Sequence, residues 1–93
     1  AYDITGLDVT GNTIDGAYDG VEAQYSSDVL IDGNTITSSV IYGVSGYELE
    51  NATISNNTID GAATGVGVYN SDGVDISDNT ISSVEDGVNA GAV

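Results

Sequence analysis

Apolar residues in this chain alternate with polar ones over stretches too short for anything but strands. Val74-Asp75-Ile76 reads apolar, polar, apolar, and Val29-Leu30-Ile31 puts a β-branched residue at each end of the same window. That is a period of two, and no stretch keeps a helical period long enough to matter. The pattern then returns. Val9, Ile31, Ile54 and Ile76 each stand three residues before an asparagine, and Leu7, Val29, Ala52 and Val74 stand five before it. Ile14, Ile36, Ile59 and Ile81 each stand two after it. The asparagines are Asn12, Asn34, Asn57 and Asn79, separated by 22, 23 and 22 residues, an interval that marks a repeat architecture. A Gly-Val pair follows in every copy, at Gly20-Val21, Gly43-Val44, Gly65-Val66 and Gly87-Val88. The first three valines each precede the next asparagine by 13 residues, so the extra residue of the long copy is expected in a loop between Thr37 and Tyr42.

Each repeat therefore predicts three strands of about three to five residues, separated by Gly, Asn, Asp and Ser turns. Strands that short cannot form hairpins within their own repeat. They can pair only with the same column of the next repeat, which makes them parallel and coils the chain. The expected fold is all-β: a parallel β-helix, one segment over residues 1–93, with turns near 1–22, 23–45, 46–67 and 68–93. Before each asparagine sits Gly11, Gly33, Asn56 or Asp78, residues that tolerate a left-handed backbone and so mark a sharp bend. An asparagine turned inward there needs partners for its amide. Stacked at the strand spacing of about 4.8 Å, each can reach the asparagine of the next turn and form a ladder. The following Thr then points out and the Ile in.

With those residues in place, the repeat resembles the parallel β-helix repeat of the pectate-lyase-like superfamily, which includes NosD-like and many archaeal and bacterial surface proteins. The "GNTI", "NNTI" and "DNTI" bends are similar to that family's internal asparagine ladder, and the resemblance covers essentially the whole chain. It implies right-handed coiling. It says little about function, because the fold hosts many activities.

Composition narrows the partners. The chain has 15 Asp plus Glu and no Lys, Arg or His, for a net charge of −15. Nucleic acid and anionic membrane surfaces both require basic residues, so neither is expected as a partner. No apolar run is long enough to insert in a bilayer. Cations, a salt-rich medium or neutral carbohydrate suit the charge. There is no cysteine, hence no disulfide framework.

Family enzymes that cleave or epimerise acidic polysaccharides combine carboxylates, often with calcium, with an Arg, Lys or His. This chain has none of those three, and the outward residues beside the Gly-Val column (Glu22, Ser45, Gly67, Asn89) form no stacked constellation. A glycosidase pair of carboxylates is conceivable but unspecific among so many acids. No catalytic residue and no resident cofactor are therefore expected. Calcium is the one ion to consider, with Asp3, Asp28, Glu48, Glu50 and Asp72 near the same corner of successive turns, although no EF-hand loop is present. The plainer reading of these acids is a solvated, salt-adapted surface. Thr13, Thr35, Thr58 and Thr80 should form an outward row. Ice binding would want a second threonine column, and that column reads Asp15, Thr37, Asp60, Ser82.

Tyr2, Tyr47 and Tyr69 each lie five residues before a strand aliphatic, with Tyr25 one position off. They suit a sugar platform, an intersubunit contact or a stiffening stack, and the stack is the expectation. Asn51-Ala52-Thr53 and Asn56-Asn57-Thr58 match the N-glycosylation pattern, with Asn51 expected to be the more exposed.

Ala1 and Ala90 fall in one column, so the chain is expected to span four whole turns with neither end capped. It opens on Ala1-Tyr2, which suggests a processed chain or an excised fragment. The expectation is a structural extracellular β-solenoid of a surface layer, sheath or fibre, stacking coaxially head to tail on copies of itself. Its alternatives are a non-catalytic fragment of a larger carbohydrate-binding or polysaccharide-processing β-helix and a calcium-dependent surface adhesin.

Overall fold

The computed structural model describes residues 1–91, without the side chain of Ser83; the last two positions of the expected fourth turn, 92–93, lie outside the described residues. The chain coils as its periodicity predicts. The first turn carries β1 (Asp8–Thr10), β2 (Thr13–Asp15) and β3 (Asp19–Gln24), and the second β4 (Ser27–Asp32), β5 (Thr35–Thr37) and β6 (Tyr42–Tyr47). In the third turn β7 (Glu50–Ser55) is followed by one long strand, β8 (Thr58–Tyr69), and in the fourth β9 (Asp72–Ser77) is followed by β10 (Thr80–Gly91). Every pairing is parallel and joins one turn to the next.

Three strands per turn thus describes the first two turns, whereas the second and third strands run together in the last two. The reason is the surplus residue. Thr37 pairs with Asp60 and Tyr42 with Thr64, so four residues of the second turn face three of the third, and pairing breaks there. Between β8 and β10 the counts match, and the Val84↔Ala62 pair bridges the corner. The insertion lies where the sequence placed it. Its Val40 is pushed outward to 59% exposure.

The inward columns meet in register: Val9, Ile31, Ile54 and Ile76 on one sheet, Ile14, Ile36, Ile59 and Ile81 on the other. The middle turns bury Ile31, Ile36, Ile54, Ile59, Val44, Val66 and Val68 completely, while Val9, Ile14, Ile76 and Ile81 of the end turns stay partly open. Each fully buried aliphatic contributes about 1.5–3 kcal/mol. The recurring Gly of the Gly-Val pair has a packing cause. A methyl on Gly43 would sit 2.5 Å from Ile59 Cγ2 and 2.7 Å from the Gly65 carbonyl, and Gly20 and Gly65 stand in the same relation to Ile36 and Ile81.

Corners are made by left-handed residues in four columns: Asp3, Tyr25, Glu48 and Asn70; Gly6, Asp28, Asn51 and Gly73; Gly11, Gly33, Asn56 and Asp78; Gly16, Ser38 and Gly61. Such a backbone costs a non-glycine residue roughly 1–2 kcal/mol. Ladder hydrogen bonds offset that strain, as where Tyr25 N–H donates to the Tyr47 carbonyl (2.9 Å) and Ser38 N–H to the Asp60 carbonyl (2.9 Å).

Two substitutions test this packing. Gly43→Ala forces Ile59 and the Gly65 peptide apart and should destabilise by about 1–3 kcal/mol in urea unfolding. Ser39 Oγ is buried without a hydrogen-bond partner among the described residues, between Ala17 and Ala62 in its column. Ser39→Ala should therefore raise stability, by up to about 1 kcal/mol; a loss of stability would show that the hydroxyl has a partner.

Candidate functional site

No cavity of ligand size forms among the described residues, so the chemistry available to this chain lies on its edges, corners and faces. The most ordered polar feature is internal. Asn34 and Asn57 are each 1% exposed. Asn34 Nδ2 donates to Asn57 Oδ1 (3.0 Å) and to the Val9 carbonyl (2.9 Å), while its Oδ1 accepts from Asn12 N–H (3.0 Å) and Asn12 Nδ2 (3.1 Å). All four hydrogen-bonding positions of the amide are filled. Asn57 repeats the arrangement with Asn79 Oδ1 (2.9 Å), the Ile31 carbonyl (3.0 Å) and the two Asn34 donors. The predicted ladder is present, and it is directional: each turn donates toward the C-terminal side and accepts from the N-terminal side. At its two ends it is therefore unequal. Among the described residues nothing donates to Asn12 Oδ1, and the Asn79 backbone N–H has no acceptor.

A second inward relay escaped the sequence reading. Leu49 N–H donates to Ser71 Oγ (2.9 Å), and Ser71 Oγ in turn donates to the Tyr69 carbonyl (3.0 Å). Ser26 does the same between Ile4 N–H (3.1 Å) and the Gln24 carbonyl (2.9 Å). Serine here alternates with Ile4 and Leu49 along one column. The alternation was the available signal, but isolated serines next to bends read as ordinary turn residues.

Outside, several of the acids accept hydrogen bonds from neighbouring side chains. Thr37 Oγ1 donates to Asp15 Oδ1 (2.8 Å), Asn51 Nδ2 to Asp28 Oδ1 (2.7 Å) and Ser82 Oγ to Asp60 Oδ1 (3.3 Å). Asp32 Oδ1 accepts from Asn56 Nδ2 and Ser55 Oγ, both at 2.9 Å, and these two bonds hold its carboxyl below the ordinary aspartate value. Paired columns also keep acids apart. Asp15 and Asp60 alternate with Thr37 and Ser82, and Asp8 and Asp75 are separated by Leu30 and Thr53. Among the described residues Glu50↔Asp72 is the one register pair in which two acids face each other, an unfavourable placement on a sheet.

The five acids considered for calcium lie along one corner, but in three separate columns: Asp3 with Glu48, Asp28, and Glu50 with Asp72. Among the described residues no three carboxylates come together as a metal site. The tyrosine stack forms with a different membership. Tyr25, expected one position off, sits between Tyr2 and Tyr47, with ring centroids 5.3 and 5.7 Å away and edge-to-face angles of 67° and 85°. Tyr69 instead brings its hydroxyl to 3.4 Å from that of Tyr42. The threonine row is present and exposed, in register across all four turns. Asn51 and Asn56 are both exposed left-handed corner residues with φ of 54°, and each donates its Nδ2 to an aspartate, so Asn51 is not distinguished from Asn56 as expected.

The family model described as "right handed beta helix region" matches residues 2–92. No curated protein and no solved structure matches the chain.

Two outcomes follow from the surface. Because the folded-state value of Asp32 is depressed, its stabilisation is complete above the ordinary aspartate value and disappears as pH falls through the lower folded value. Asp32→Asn should thus lose less stability on acidification than the parent chain, measured by unfolding at stepped pH. Glu50→Gln should raise the unfolding midpoint in low salt and match the parent at about 1 M salt, where the screening length is about 3 Å. An equal effect at both salt concentrations would remove the electrostatic explanation.

Proposed function

The chain belongs to the right-handed β-helix family, and on that premise we propose that it is an extracellular structural solenoid that stacks coaxially, head to tail, on copies of itself. The observation that supports this reading is the polarity of the asparagine ladder. The first turn presents an acceptor, Asn12 Oδ1, and the fourth presents donors on Asn79, in the same column. Facing ends of two copies complement each other, because each offers what the other's edge lacks. The strand edges around them carry unpaired N–H and C=O groups that recruit a further parallel turn. The contact is heterologous and does not close, so repetition gives a fibre. A chain without Lys or Arg has no tryptic site, which suits a surface or sheath material. Fifteen negative charges per subunit must be screened by salt or bridged by divalent cations such as calcium before two ends meet.

We assign no catalytic step to this chain, since it has no Lys, Arg, His or Cys and presents no cavity among its described residues. A second reading draws on the same open ladder. A further turn of a longer chain would satisfy the Asn79 donors equally well, making this segment the non-catalytic part of a larger carbohydrate-binding or polysaccharide-processing β-helix.

Negative-stain electron microscopy of the purified chain in high salt, with calcium and with a chelator, separates the two. The stacking reading expects unbranched fibres whose diffraction carries an axial spacing of about 4.8 Å. Fibres lost on chelation would place divalent cations at the joints. Monomers or amorphous aggregate in all three conditions would sink the stacking reading and leave the longer β-helix.

A further inference from the structure

The corner that joins each third strand to the next turn differs from the rest of the surface. Tyr2, Tyr25 and Tyr47 stack there along the coil axis, each ring set edge-to-face against the next. Tyr2 is 66% and Tyr25 48% exposed, which is unusual for aromatic rings engaged in a stack. Edge-to-face packing sets successive rings at a large angle to one another, and it leaves much of Tyr2 and Tyr25 open to the outside. Ring faces carry the negative end of the aromatic quadrupole.

Carboxylates flank the rings. Asp3 and Glu48 occupy the left-handed column of Tyr25, one turn to either side of it. Glu50 and Asp72 stand two residues beyond that column, and among the described residues they are the one pair of acids placed opposite each other in register. Asp15, Asp28, Asp32 and Asp60 accept from neighbouring hydroxyl or amide groups. Among the described residues Asp3, Glu48, Glu50 and Asp72 accept from no side chain, and neither do other exposed acids such as Asp78; what sets these four apart is their place beside the tyrosine ridge. The Tyr25 phenol is pushed up from its ordinary value, first by desolvation and then by the neighbouring Tyr47, Tyr2 and Glu48.

We propose that this ridge binds a short extended peptide segment rich in arginine or lysine. It lies along the coil axis, with its cationic groups over the tyrosine rings and against Asp3, Glu48, Glu50 and Asp72. Charge selects the occupant. A second copy of this chain has no Lys, Arg or His and cannot supply the cations, so the ridge is distinct from the stacking ends. Size agrees as well. The ridge from Tyr2 to the fourth turn covers three strand spacings, about 14 Å. That is the reach of roughly four extended residues. Arginine suits the site better than lysine, because its planar guanidinium stacks on aromatic faces while pairing with carboxylates.

The test is fluorescence anisotropy with fluorescein-labelled hexa-arginine and hexa-lysine in low salt, with folding of every variant checked by circular dichroism. Hexa-arginine should bind more tightly than hexa-lysine. Tyr25→Asn places in the corner the residue type that Asn70 already provides in the same column, and it should weaken hexa-arginine about two- to fivefold. The triple variant Glu48→Gln, Glu50→Gln, Asp72→Asn should weaken it about tenfold. A control of equal charge, Asp15→Asn, Asp60→Asn, Asp78→Asn, should change it less than about threefold. Equal losses from the two triple variants would reduce the binding to net charge and overturn the proposal. So would an unaltered affinity in Tyr25→Asn, or no binding of either peptide.

Discussion

A buried primary amide has two donors and two acceptor positions to fill, and inside this coil they are filled by the same amide one turn away together with a backbone carbonyl and a backbone N–H of the preceding turn. The Asn12–Asn34–Asn57–Asn79 ladder is this constraint in physical form. Asn34 Nδ2 and Asn57 Nδ2 each bridge between the next asparagine and a carbonyl of the preceding turn, at Val9 and Ile31, and Asn79 Nδ2 reaches the Ile54 carbonyl. A slip of one residue in either strand would break four hydrogen bonds at asparagines that are almost wholly buried. It would also turn an isoleucine outward. Register is thus fixed at one corner, and the rest of the turn has to accommodate it.

The insertion illustrates this. The second interval is one residue longer, yet the Asn34–Asn57 bonds are as short as the others. The surplus leaves the coil at residues 38–41, exposes Val40, and interrupts the strand there. The Gly column follows from the same fixed register. Once Ile36, Ile59 and Ile81 are held inward two residues beyond the ladder, their methyl groups press on the strand of the preceding turn, and only Gly20, Gly43 and Gly65 leave room. Charge is arranged under it too. Columns are locked, so repulsion between turns is relieved, except at Glu50 and Asp72, by spacing acids along a column and by placing hydroxyl and amide donors between them.

Much of this was legible in the sequence, because a solenoid turns spatial neighbours into a fixed sequence interval. The strand columns, the inward asparagines, the outward threonines, the bend residues and the location of the insertion all follow from the 22- and 23-residue spacing. What escaped depended on side-chain direction at the corners. Tyr25 was set one position off the other tyrosines, but the left-handed backbone at Tyr25 turns its ring back into their stack. The acids read as one shared corner divide into three columns, a division that the 22- and 23-residue spacing already sets. Ser26 and Ser71 look like turn residues in the sequence, and only the coil shows them turned inward as relays. Fusion of the second and third strands in β8 and β10 was hidden because it depends on equal residue counts in adjacent turns.

The claim that the ladder is the interior's permanent polar frame can be measured directly, by hydrogen exchange of the asparagine side-chain amides followed by nuclear magnetic resonance. The account predicts that the Nδ2 protons of Asn34 and Asn57 exchange only when the whole coil unfolds, at the rate of the slowest backbone amides in β4 and β7. The Nδ2 protons of Asn70, which sits on the surface, should exchange at the rate of a free amide. If the Asn34 and Asn57 protons exchange as fast as those of Asn70, the ladder is not what holds the turns in register.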